Sequence, residues 1–180
     1  MVARPGGATA VAAALVLTLA VAAAALAGSK PGLEERHPVG VRAAADGALR
    51  IADSRGGGAI LRASALGPGD EVVGVLTIEN LGAPATLTLS RRRLRERVGP
   101  GGASLAAALR LRIRDLRAAS HPVVYRGGLM AMPPLALGLF ETGAERRYRF
   151  AASLPEPGLV DNGLMGAQVS FDYRWRLRRQ

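Results

Sequence analysis

The chain has 180 residues, room for one ordinary domain and hardly two, and a formal net charge of +10. It contains no cysteine, which excludes a disulfide framework and thiolate metal ligands, so a packed core must hold the fold. Lys30 is the only lysine; the excess charge is therefore arginine and points toward anionic polymers such as wall polymers, phospholipid headgroups or nucleic acid.

Residues 10–27 form an apolar run, "AVAAALVLTLAVAAAALA", preceded by the single charge of Arg4. Ala25-Leu26-Ala27 fits the small-x-small pattern of a signal-peptidase site, so the expectation is a signal peptide over residues 1–27 and an exported protein. The competing reading is an uncleaved anchor, since residues 8–27 are about long enough to span a bilayer; membrane association is expected only in that case. Residues 28–45 carry Pro31, Pro38 and mixed charge, and read as a flexible lead-in. Residues 46–180 read as the folded domain.

Short apolar segments then alternate with Gly/Pro turns. Leu49 and Ile51 alternate with Arg50 and Ala52, residues 54–58 form a turn, and residues 59–63 a short strand. In "GPGDEVVGVLTIENLG", Gly67-Pro68-Gly69-Asp70 is a tight turn and residues 71–79 a strand. Leu76 and Ile78 share one of its faces, with Val73, Val75 and Thr77 on the other, and Asn80-Leu81-Gly82 turns the chain again. Residues 86–90 are a strand with Leu87 and Leu89 inward, followed by an arginine-laden polar insert over residues 91–102. Residues 104–108 suit one helical turn.

"LRLRIRDL" is the most regular alternation in the chain: Leu109, Leu111 and Ile113 point one way, Arg110, Arg112 and Arg114 the other. Strands follow at residues 122–125, 135–140 and 146–154, with a loop or helical turn at 127–134 and a turn at Thr142-Gly143-Ala144. After a loop over residues 155–163, the last strand puts Val169, Phe171, Tyr173, Trp175 and Leu177 on one face, with Asp172, Arg174 and Arg176 toward water. Strands about ten residues apart with little helix predict an all-β fold: an antiparallel β-sandwich with one or two short helical turns behind an N-terminal signal segment.

Catalytic motifs are missing. His37 and His121 lie far apart, in no metal-ligand spacing, and His121 before Pro122 reads as a turn residue. Asp46, Asp53 and Asp70 sit beside turn residues and suit Asx-type turns as well as calcium. No cofactor and no metal ligand is assigned, and no motif for specific nucleic-acid recognition is present.

Taken together, "GALRIADSRGGGAILRASALGPGDEVVGVLTIENLGAPATLTLS", "LRLRIRD", "VVYRGGLMAM", "LALGLFETGAERRYRFAASLP" and "DNGLMGAQVSFDYRW", in that order behind a signal segment, resemble the TasA/camelysin family of secreted biofilm-matrix proteins. The resemblance covers about residues 45–175 and rests on turn and strand patterns. It implies a jelly-roll sandwich, export, and assembly into fibres by lending an N-terminal segment as an extra strand to the next subunit. In this chain the candidate donor strand is Val39 and Val41 within residues 39–43. The leading expectation is a secreted or surface-located, non-enzymatic structural protein whose partner is a second copy of itself. The alternatives are a monomeric binding module for an anionic envelope polymer, with Arg110, Arg112, Arg114, Arg174 and Arg176 as the candidate polyanion contacts, and a camelysin-like metalloendopeptidase.

Overall fold

A computed structural model describes residues 32–35, 43–44, 47–53, 59–63, 65–156 and 162–178. Among these residues eleven strands form: β1 (Gly32–Glu35), β2 (Ala43–Ala44), β3 (Gly47–Asp53), β4 (Arg62–Ala63), β5 (Glu71–Asn80), β6 (Ala85–Arg97), β7 (Arg110–Asp115), β8 (Val123–Gly128), β9 (Leu135–Phe140), β10 (Glu145–Ser153) and β11 (Gln168–Arg178). Helix is confined to α1 (Leu105–Ala108) and a 3-10 turn at Asn162–Leu164. One sheet has the order β4-β1-β11-β6-β9, the other β2-β3-β5-β10-β7-β8. The pairings are antiparallel except that β1 runs parallel to β11.

The sheets pack face to face through the apolar residues of their alternating strands. Phe150 of β10 lies 4.8 Å from Tyr173 of β11, centroid to centroid, and edge-on to Trp175 at 6.3 Å; Tyr148 lies 5.7 Å from Trp175. Leu76, Ile78, Leu111 and Ile113 from one sheet and Leu87, Leu89, Val169 and Phe171 from the other complete this buried layer. Such a cysteine-free, all-β core draws its stability from apolar area removed from water.

The turn at Gly67 to Asp70 is stitched into the sheet. Asp70 N–H donates to Gly67 O (3.1 Å) and its carboxylate accepts from Gly67 N–H (2.6 Å). Gly69 adopts φ +82°, and its N–H donates to Leu154 O, while Leu154 N–H donates to Asp70 O. The turn therefore fixes the register at which β5 enters between β3 and β10. At the far end Asn80 is fully buried; its side-chain amide donates to Phe140 O (2.8 Å) and Ala83 O (3.1 Å) and accepts from Gly82 N–H (3.0 Å).

Three expectations need correction. The arginine-laden segment is no insert: β6 continues through it to Arg97, because β11 offers a partner along its whole length. The strand absorbs the charge by a register shift opposite Ser170 and Asp172, with Arg93 in the left-handed region (φ 48°). The inward Glu96 carboxylate is satisfied by Ser104 Oγ and the Ala106 N–H at the start of α1. Residues 59–63 form a strand only at β4, since Ile60 presses its carbonyl against Gly74 of β5 instead of joining a ladder. The lead-in also contributes β1, which sits between β11 and β4, and β2, which pairs with β3. The signal segment, the turn over residues 54–58, His37, Val39 and Val41 lie outside the described residues; among the described ones the lead-in forms strand at Gly32–Glu35 and Ala43–Ala44.

Candidate polyanion-binding faces

Arg110, Arg112 and Arg114 project from the outer side of β7, as the period-two pattern requires, while Leu111 and Ile113 enter the core. Strand pairing adds neighbours that the local sequence does not show. Arg126 of β8 stands directly opposite Arg112, and Arg149 of β10 directly opposite Arg114. Arg147, two residues before Arg149, is exposed on the same side of β10. Directly opposed side chains share a face with Cβ atoms about 5 Å apart, and alternate residues along a strand lie about 7 Å apart. Six guanidinium groups thus crowd one end of the outer face.

Acidic relief on this face is local. Glu71 accepts from Arg112 Nη2 at 2.9 Å and lies 3.7 Å from Arg149 Nη2, so one carboxylate serves two arginines. Glu79 is held by Arg50 on β3 at 2.9 Å, on the far side of the sheet. Like charges directly opposite each other in a sheet are destabilising. The pairs Arg112/Arg126 and Arg114/Arg149 are therefore tolerated against local electrostatics. The Nε of Arg114 is buried without a hydrogen-bond partner.

Arg174 and Arg176 belong to the other sheet. They project from the outer side of β11, opposite Ser90 and Thr88 of β6, with exposed Arg92, Arg95, Arg97 and Arg178 along the same two strands. Asp172 is the acidic neighbour on β11, 3.8 Å from Arg93. Glu34 of β1 stands at the register position of Ser170. Arg174 is held below the ordinary arginine range, chiefly by the positive charge of Arg176 and further by Arg92. The two expected arginine rows consequently do not merge. Phe150 and Tyr173 meet inside the sandwich, so their neighbours Arg149 and Arg174 point away from each other on opposite outer faces.

The remaining candidates carry little chemistry. His121 is exposed in a turn (φ 43°), its N–H donating to Ala118 O. Asp70 closes its own turn. Among the described residues no group of three or more His, Cys, Asp or Glu side chains could hold a metal ion, and no helix is long and apolar enough to cross a membrane. Arg126, Arg147 and Arg149 were not singled out from the sequence, because only strand adjacency gathers them around β7. The chain matches no protein-family model, and no curated protein is detectably similar to it.

Proposed function

We propose that this is an exported, non-enzymatic structural protein of the cell surface or extracellular matrix, whose subunits associate by exchanging an N-terminal strand. Export rests on the apolar run and Ala25-Leu26-Ala27. The observation that carries the association is the placement of β1. It is a four-residue strand near the N-terminal end of the described chain, parallel to β11 and antiparallel to β4, bonded on both sides through backbone groups. A backbone ladder needs no matched side chains, so at sufficient concentration the same slot can take β1 from a second copy.

Electron microscopy of residues 28–180 at rising concentration tests this. Filaments or defined oligomers are expected for that form and a folded monomer after deletion of residues 28–45. Leu33→Pro should act like the deletion, because β1 is flanked on both sides and proline removes a ladder donor. Ordered polymers from the truncated form would overturn strand exchange.

A second reading, a binding module for an anionic envelope polymer, is favoured by the directly opposed arginine pairs on β7, β8 and β10. Its test is a binding isotherm whose affinity falls steeply with salt.

A further inference from the structure

We infer that the protein cross-bridges linear phosphate-bearing polymers, holding a separate chain on each outer face of the sandwich. The inference rests on the polymer-binding reading and adds to it a valency of two and a phosphate ligand. Its basis is the separation of the arginine rows. One face presents Arg112, Arg114, Arg126 and Arg149; the other presents Arg174 and Arg176 beside Arg92. Stacked sheets lie about 10 Å apart before any side-chain reach is added. That already exceeds the screening length of about 8 Å at physiological ionic strength. The faces therefore act as independent charge sources, and one extended polymer lying along a flat sheet face leaves the opposite face free.

Within each face the arginines stand closer together than the screening length, so salt only partly screens their mutual repulsion. A polyanion removes that repulsion as it binds. Arginine forks match phosphate oxygens in a bidentate geometry and are less suited to a bare point charge. The rows follow strands and have no enclosing walls, which suits a linear polymer more than a compact anion. Backbone contacts of this kind do not read sequence, in keeping with the lack of a nucleic-acid recognition motif.

The test uses the purified full chain with two probes, long-chain inorganic polyphosphate and single-stranded DNA, so that a response to both identifies phosphate as the shared ligand. Binding is read by fluorescence anisotropy of labelled probe, and bridging by light scattering as the polymer-to-protein ratio is varied. Binding is expected with both probes, with a log–log salt slope of roughly −4 if about six arginines of one face engage single-stranded DNA. Scattering should pass through a maximum and fall in polymer excess, where each face is filled by a separate chain and bridges are lost. The variant Arg114→Glu/Arg126→Glu disables one face and Arg174→Glu/Arg176→Glu the other. Each should keep binding within about tenfold of the parent yet lose the scattering maximum, as the fold-change here is set by one intact face. Arg50→Glu reverses a charge on β3, outside both rows, and should scatter like the parent. Binding without scattering by the parent at any ratio would overturn bridging and leave the binding reading standing; absence of binding would remove both. Scattering by either single-face variant equal to the parent's overturns the two-face arrangement. An equal response to polyglutamate overturns the phosphate assignment.

Discussion

Asn80 shows how one buried polar side chain can hold a corner of an otherwise apolar sandwich. It is fully buried, and its amide bridges the carbonyls of Phe140 and Ala83 while its oxygen accepts from Gly82 N–H. Asn80→Ala strands the buried Phe140 carbonyl and should cost about 1–3 kcal/mol, read as a lower denaturation midpoint with an unchanged m-value. Tyr148 is the opposite case. Its hydroxyl is buried without a hydrogen-bond partner, and burial raises the phenol above its ordinary range against the opposing charge of Arg146. A raised folded-state value means that the native state holds this proton more tightly than the unfolded chain does. Stability from this group is then complete below about pH 10 and declines as pH rises beyond it. Tyr148→Phe removes both the unmade bond and the titration. It should leave stability at pH 7 within roughly 1 kcal/mol of the parent and flatten the loss above pH 10; a large loss at neutral pH would reveal a bond to the hydroxyl. Arg146 itself is buried between the sheets, its guanidinium donating to Leu137 O and Leu139 O of β9 and lying 5.0 Å from the Phe140 ring centroid.

At the scale of elements, the strands legible in the sequence are those that carry their own period. β7 and β11 alternate apolar and polar residues along their length, and their inward faces follow from that pattern; for β5 the sequence shows the strand and the split of its residues between two faces. The second half of β6 was illegible because its arginines break the apolar period; a long antiparallel partner, a bulge at Arg93 and the Glu96–Ser104 contact make it extended all the same. β1 was hidden behind Pro31 and mixed charge, and its partner β11 is far away in the chain. The site divides the same way. The row Arg110, Arg112, Arg114 follows from local alternation, whereas its separation from Arg174 and Arg176 depends on sheet order, which is a non-local property. Gly74 marks a contact of this non-local kind. A Cβ there would lie 2.2 Å from the carbonyl oxygen of Ile60, so the crossing segment can only approach a glycine. Gly74→Ala should destabilise by about 1–3 kcal/mol or more, because the obstacle is backbone and cannot rotate aside. A midpoint equal to the parent's would show that residues 59–63 move freely over β5.

The whole molecule carries a charge of +10, and its arginines are arranged so that like charges face each other across strands. Such facing like charges cost stability on the outer faces. Arg126→Glu places a carboxylate directly opposite Arg112 and should stabilise by roughly 0.2–1 kcal/mol, the range for an opposite-charge cross-strand pair. For a chain of this size that is a rise in Tm of up to about 4 °C. Salt supplies the independent check. The screening length shrinks from about 30 Å at 0.01 M to about 8 Å at 0.15 M, so added salt weakens repulsion between the rows' charges and also weakens ion pairs such as Arg50–Glu79. The net charge of +10 leaves a large excess of like charge, and exposed ion pairs contribute little. The Tm of the parent should accordingly rise with salt over that interval, and the rise should be smaller in Arg126→Glu, where one repulsive pair has become attractive. The same substitution should weaken polyanion binding while it strengthens the fold. A parent whose Tm falls with added salt, or an Arg126→Glu variant that melts earlier than the parent, would mean that the arginine rows are already neutralised within the protein and have no anionic partner to seek.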